Sequence, residues 1–195
     1  MSRSGAISAS DVGLVEDRAE LDRLASAPGP LTPPECAERA ERAAGTLDLS
    51  ALDRGGAGDA LLLWRSDTSE AWLNLWWDAR DTGYHDHDGS CVGVYVIEGV
   101  ARNESLVIGG PRRSHEYKRG GRFSFPAGGI HRMEHEPGAI TIHVYSPPIR
   151  AIGHYELEDG ELRRLSSSPD EPSPPSPQLL AATRDSGHEQ RPAWT

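Results

Sequence analysis

The chain has 195 residues and a formal net charge of −10, and 36% of its residues are hydrophobic. This length predicts one domain with a sizeable core, and the acidity without a basic stripe excludes nucleic acid as a partner. No apolar run approaches the roughly 18 residues of a membrane span, and the N-terminus lacks a signal-peptide core. Cys36 and Cys91 have no CxxC spacing. We therefore expect a reduced protein of the cytoplasm without a membrane partner.

The first 57 residues predict a helical segment that packs on the rest of the chain. Residues 11–27 carry apolar side chains at near-helical spacing, which predicts a first helix. A second helix begins at the sequence TPPE, where Thr32 is the N-cap and Glu35 closes a capping box. We expect this helix to end at Ala44, because a glycine follows.

Residues 58–165 predict a mainly β domain, a small barrel or jelly roll. Short apolar or alternating runs are separated by Gly, Pro and Asp, as in LLLWR, AWLNLWW, CVGVYVIEG, ESLVIGG, RFSFPAG, AITIHVYSPP and AIGHYELED. Residues 166–195 are rich in Pro and Ser, so we expect a mostly disordered tail.

Three histidines are candidate metal ligands. His85 and His87 are one residue apart, so in an extended chain they point to the same face. His131 follows a turn that contains Pro126 and Gly128, which places it at the rim of a strand. An HxH pair alone is weak evidence for a metal site, because such pairs are usually accidental. A histidine at the rim of a strand can also form a hydrogen bond with a carbonyl instead of binding a metal.

The run AITIHVYSPP alternates strictly between polar and apolar residues. Thr141, His143 and Tyr145 share one face, and aliphatic residues share the other. Polar groups that face a barrel interior are costly unless they are hydrogen-bonded. A Thr–His–Tyr chain would satisfy its own members and end in a phenol aimed inward. The alternative is an edge strand whose polar face is in water.

These stretches resemble the two motifs of the cupin superfamily. The first motif has HxH, three or four residues, Glu, six residues and Gly. His85, His87 and Gly99 fit it, but Val92 stands at the Glu position. The second motif, which has a Gly, PxG and a His, is matched by Gly120, Pro126, Gly128 and His131. The resemblance covers about residues 60–160 and implies a cupin barrel with a site of three neutral imidazoles.

The HDH, GIHR and HVYSPP stretches together resemble the bacterial type of cysteine dioxygenase, within the thiol dioxygenase family. The resemblance implies Fe(II) held by the three histidines and oxidation of a small thiol to its sulfinic acid with O₂. His143 and Tyr145 take the places of the family's His and Tyr, and Thr141 replaces its Ser. Trp77 resembles the family's active-site tryptophan.

Three arginines are candidates for the residue that binds the substrate carboxylate. The family binds the substrate carboxylate with an Arg or Gln on an early strand, and Arg65 is the best positional match, with Arg80 and Arg132 as rivals. Some members cross-link a Cys to the Tyr. Here Val92 stands at that position and Cys91 is one residue early, so we predict no thioether.

Other functions remain open at this point. Four tryptophans between residues 64 and 77 leave a larger thiol or thione possible, such as a thioimidazole. A non-thiol cupin oxygenase or isomerase is a further alternative, and a non-catalytic binding module is the weakest because all three ligands are present. The oligomeric state and the role of the tail cannot be read from the sequence.

Overall fold

The computed structural model describes residues 6–54, 60–106, 112–158 and 161–168. For residues 166–168 it describes the backbone alone. These residues form the helices α1 (Arg18–Ala25) and α2 (Pro33–Ala44) and a short 3-10 turn (Leu49–Ala51). The strands are β1 (Ala60–Arg65), β2 (Glu70–Trp76), β3 (Arg80–Asp81), β4 (Tyr84–Asp86), β5 (Cys91–Glu98), β6 (Val100–Ser105), β7 (Arg113–Lys118), β8 (Arg122–Phe125), β9 (His131–His135), β10 (Ala139–Ser146), β11 (Ile152–Glu158) and β12 (Glu161–Ser168).

The strands form two antiparallel sheets. The five-stranded sheet has the order β1-β2-β10-β5-β8, and the seven-stranded sheet has the order β12-β11-β4-β9-β6-β7 with β3 paired to β9. Val94 of the first sheet and Met133 of the second belong to one buried cluster, so the sheets face each other. The mainly β fold with two N-terminal helices, predicted from the sequence, is confirmed.

The two helices cover the outer face of the five-stranded sheet. A buried cluster joins Leu21 and Ala40 of the helices to Leu73 and Ile142 of the central strands. The backbone of α2 lies directly on β5, because a Cβ at Gly93 would come within 1.9 Å of the amide nitrogen of Ala37. A glycine is therefore required at this crossing, and burying each large aliphatic side chain here stabilises the fold by about 1.5–3 kcal/mol.

The boundaries of several elements differ from those that the sequence predicts. Helix α1 begins at Arg18 rather than near residue 11, because the Asp17 carboxylate accepts a hydrogen bond from the amide of Glu20 and caps the helix there. Helix α2 has the predicted capping box and bounds. Strand β12 ends at Ser168, past the predicted start of the tail, because it pairs along β11. The rest of the tail, 169–195, lies outside the described residues.

Among the described residues, no helix is both long and apolar enough to cross a membrane.

Candidate metal centre

Two short strands and a turn bring the three predicted ligands together. His85 lies on β4 and His131 begins β9, and the two residues are paired in register. His87 follows β4 in a turn, where its carbonyl accepts a hydrogen bond from the amide of Ser90 at 3.0 Å. His85 therefore lies on a strand of the second sheet, and His87 lies in the turn that follows this strand.

The three imidazoles form a compact, buried cluster. One ring nitrogen from each of His85, His87 and His131 lies within 4.8 Å of the others, and the ring centroids are 4.5–5.1 Å apart. Three nitrogens at this spacing can converge on a single metal ion.

Hydrogen bonds at the other ring nitrogens orient two of the ligands. Nδ1 of His85 lies 3.0 Å from the carbonyl oxygen of Gly83, and Nδ1 of His131 lies 2.9 Å from Oδ1 of Asn103. Each Nδ1–H donates to its oxygen, so the lone pair is on Nε2. Nε2 of His131 is buried without a hydrogen-bond partner in the described part of the chain. A metal ion would satisfy this orphaned acceptor, and oriented imidazoles of this kind are typical of metal ligands.

Burial keeps the cluster neutral. It lowers the pKa of His85 to about 4, and it lowers the pKa of His87 and His131 well below the usual range of histidine, with their neighbouring imidazoles as a further cause. Neutral imidazole is the form that binds metal. The donor set therefore fits a divalent transition-metal ion.

The predicted polar chain on β10 is present and lies beside this cluster. Oγ1 of Thr141 lies 3.1 Å from Nε2 of His143, and Nδ1 of His143 lies 3.0 Å from the Tyr145 hydroxyl. All three residues are buried. The Tyr145 ring is 5.0 Å from the ring of His87, centroid to centroid. Strand β10 is central in its sheet, which excludes the alternative of an edge strand with its polar face in water.

A tryptophan extends the chain. The indole N–H of Trp76 donates to Oγ1 of Thr141 at 3.0 Å. Oγ1 keeps its own proton and a second lone pair, so its bond with Nε2 of His143 is compatible with either tautomer of that ring. Burial lowers the pKa of His143 to about 3, so the ring is neutral and carries a single proton. Trp76 is held in turn by the ring of His135, stacked on it at 3.7 Å.

Tyr145 is a protonated phenol at the end of this chain. Burial raises the pKa of Tyr145, and the charge of Glu70 raises it further. The phenol therefore stays protonated at neutral pH. In the tautomer in which Nδ1–H of His143 donates to its oxygen, the phenol proton is left for a group beside His87.

The predicted substrate-binding residues do not gather at the site as a set. Trp77 packs against the outer cluster under the helices, so of these two neighbours it is Trp76 that faces the barrel interior. Arg132 points away from the histidines and pairs with acidic side chains, among them Glu134 at 2.8 Å. Arg80 lies on β3 opposite His135. Arg65 reaches the rim near Tyr145, but its Nε bonds with Glu70 at 2.7 Å.

Cys91 is on the outer face of β5, as alternation predicts. Its sulfur lies 3.7 Å from that of Cys36 on α2. Val92 faces the interior and is the residue paired with Tyr145. The prediction that no thioether joins Cys91 to Tyr145 agrees with this placement and awaits a mass measurement.

The sequence reasoning missed four interior polar or aromatic residues. Glu70, Asn74 and Trp76 share the inward face of β2, and Asn103 orients His131 from β6. The signal was available for β2, because Ala71, Leu73 and Leu75 alternate with these residues in EAWLNLW. The alternation alone does not show which of the two sets faces the barrel interior.

No family model matches the chain, and no curated protein does either. Among solved structures it resembles KdgF from Halomonas sp., at 20% identity over 45% of this chain and 76% of that one, with a TM-score of 0.39. It resembles an oxalate decarboxylase from Bacillus subtilis at 20% identity over 42% of this chain and 22% of that one, with a TM-score of 0.38. A Klebsiella pneumoniae protein with a double-stranded β-helix domain is 13% identical over 57% of this chain and 87% of that one, with a TM-score of 0.40.

At such identities the likeness concerns the fold alone. The three-histidine site is a property of this chain's own geometry.

Proposed function

We propose that the chain is a non-haem Fe(II)-dependent thiol dioxygenase that converts a small thiol to its sulfinic acid. The observation that carries this proposal is the Trp76–Thr141–His143–Tyr145 hydrogen-bonded chain, which ends at a protonated phenol beside the candidate ligand His87. A three-histidine cluster alone suits many metal chemistries. A buried phenol held in a fixed orientation next to the three histidines narrows the range of metal-dependent reactions that the site suits.

Fe(II) fits the donor set that His85, His87 and His131 present. The three neutral imidazoles add no negative charge, and three protein ligands leave open positions on a six-coordinate ion. Bound there, iron would supply a binding site for the thiolate and for O₂ and the electron transfer between them.

The chain's own residues bind, orient and hold a proton. Tyr145 donates a hydrogen bond to the substrate or to the developing sulfinate, and burial holds its hydroxyl in the protonated state. His143 orients the phenol through its hydrogen bond with the phenol oxygen, and Thr141 and Trp76 hold His143 in place. The apolar wall that Val92 and its neighbours form excludes water from the reacting groups.

The reaction consumes one thiol and one O₂ and gives one sulfinic acid. Both oxygen atoms become bonded to sulfur, the sulfur is oxidised, O₂ is reduced, and the thiol proton ends on the product. No external reductant is required.

Oxygen uptake by the Fe(II)-loaded protein tests the proposal. The panel contains L-cysteine, 3-mercaptopropionate, cysteamine, 2-mercaptoethanol and a thioimidazole. We expect uptake in a one-to-one ratio with sulfinate for at least one thiol, and Tyr145→Phe should lower kcat by roughly a hundredfold while iron stays bound. Stoichiometric iron without sulfinate from any thiol would overturn the proposal.

A further inference from the structure

A buried carboxylate stands at the rim of the candidate site, where a substrate clamp was expected. Glu70 begins β2, and its register partner on β10 is Tyr145. Residues directly opposite each other in an antiparallel pair point to the same face of the sheet. The carboxylate of Glu70 and the phenol of Tyr145 are therefore on the same inward side, and the charge of Glu70 acts on Tyr145.

Two donors hold this carboxylate in place. Nε of Arg65 donates to Oε2 of Glu70 at 2.7 Å, and the amide of Ile149 donates to Oε1 at 3.2 Å. The guanidinium of Arg65 also lies over the ring of Trp72, 5.6 Å from its centroid. Glu70 is thus a fixed member of the rim.

The ion pair is oriented with its negative end inward. The side chain of Glu70 is fully buried, whereas that of Arg65 is 40% exposed. The guanidinium is therefore the more exposed end of the pair, and the carboxylate is the buried end, next to Tyr145. A molecule bound beside Tyr145 would lie close to this negative charge.

Arg132, a second predicted clamp, does not face this rim. It lies on the outward side of β9, among Asp81, Glu104 and Glu134. Asn74, which is buried on the same inward face of β2 as Glu70, is neutral. A substrate carboxylate bound beside Tyr145 would lie close to the carboxylate of Glu70.

We propose that Glu70 is a specificity-determining residue that excludes carboxylate-bearing thiols and selects small thiols with an ammonium group. This inference rests on the proposed function, because it assumes that a thiol binds at the three histidines. The ammonium would lie against Glu70 while the sulfur lies at the histidine cluster. Repulsion between the Glu70 carboxylate and a substrate carboxylate a few ångströms away, in a site shielded from water, disfavours binding of an anionic thiol.

Three thiols that differ only in their terminal group test the inference. Cysteamine, 2-mercaptoethanol and 3-mercaptopropionate share a two-carbon thiol and carry a positive, a neutral and a negative end. Their dissociation constants are measured without oxygen by the thiolate-to-metal absorption of the Co(II)-loaded full chain, and their kcat/KM with the Fe(II)-loaded protein. Each thiol is compared between the wild type and Glu70→Gln, which cancels the different acidities of the thiols.

We expect Glu70→Gln to strengthen 3-mercaptopropionate binding about tenfold and to weaken cysteamine binding by a similar factor, with 2-mercaptoethanol nearly unchanged. Glu98→Gln is the matched control, since Glu98 pairs with Arg54 at 3.0 Å on the surface, and it should change none of the three. Arg65→Gln, which keeps the carboxylate, should still prefer cysteamine and serves if Glu70→Gln fails to fold.

The outcomes separate this inference from the proposed function. Tightest wild-type binding of 3-mercaptopropionate, or an unchanged order of affinities in the variants, would overturn the role of Glu70 even if sulfinate forms. The three thiols could bind in the predicted order of charge while no thiol yields sulfinate. That result would support the role of Glu70 in selecting the ligand and would overturn the proposed dioxygenase activity. If none of the three thiols binds, the role of Glu70 is overturned, and the dioxygenase proposal is decided by sulfinate formation from L-cysteine and the thioimidazole.

Discussion

The two faces of the central strands β2 and β10 are built from opposite kinds of side chain. The outward face carries Ala71, Leu73, Leu75, Ile140, Ile142 and Val144, all buried under the helices. The inward face carries Glu70, Trp72, Asn74, Trp76, Thr141, His143 and Tyr145, all buried as well. The same backbone therefore presents an apolar layer to α2 and a polar layer to the histidine cluster.

The contrast shows how a small barrel can separate stability from chemistry. Buried polar groups contribute little to stability and cost free energy when unpaired, whereas apolar burial drives folding. The helices on the outer face supply a second apolar layer, which offsets the polar interior. Substitutions on the two faces should therefore affect different measurements.

The largest expected effect comes from removing a ligand on the inward side. His131→Ala should lower metal affinity by roughly a hundredfold or more, because it leaves two imidazoles and an unpaired Asn103 side chain. Metal content after dialysis against a weak chelator measures this loss. His115→Ala, at an exposed position on β7, is the control, and full metal retention in His131→Ala would contradict the assignment of the site.

A core substitution on the outward side should change stability alone. Leu73→Ala should lower the free energy of unfolding by about 2–5 kcal/mol, because it opens a cavity under the helices. Urea unfolding of the metal-free protein measures this change, with Leu162→Ala at a site that is 41% exposed as the control. Metal stoichiometry at low denaturant should match that of the wild type, and a parallel loss of metal would show that the two faces are coupled.

Lowering the pH should destabilise the fold through the buried histidines of the barrel interior, by less than the core substitution does. The pKa of His85 is about 4 in the folded chain, below its value near 6.5 when unfolded. Its contribution to stability is therefore complete above pH 6.5 and is lost as the pH falls toward 4. At about pH 5 this histidine alone lowers the free energy of unfolding by on the order of 2 kcal/mol.

The metal-free protein should accordingly have a lower Tm at about pH 5 than at about pH 7.5, with His143 acting in the same direction. Thermal melts in matched buffers measure the difference. Melting that does not depend on pH over this interval would mean that the buried imidazoles are not held neutral.

The parts of the site that depend on local spacing were predictable from the sequence. The HxH pair, the turn before His131 and the alternation of β10 fix which side chains share a face, because a strand has a period of two residues. The structure brings these side chains together in the barrel interior.

The parts that depend on pairing between distant strands were not predictable. The sequence predicts Trp77 as the active-site tryptophan, whereas Trp76 faces the interior, because the inward face of β2 is set by its packing against distant strands. The pairing of Arg65 with Glu70 depends on the hairpin register of β1 and β2, which includes an irregularity between Leu62 and Trp64. A one-residue change of register reverses every side chain, so the sequence alone could not show that a carboxylate occupies the expected clamp.

Product analysis after turnover in ¹⁸O₂ tests the central claim most directly. The Fe(II)-loaded full chain is given cysteamine, and the product is analysed by mass spectrometry. The account predicts a sulfinic acid in which both oxygen atoms are ¹⁸O, formed in equal amount to the O₂ consumed. A disulfide as the main product, or sulfinate with oxygen from water, would contradict the assignment of the inward face as a thiol dioxygenase site.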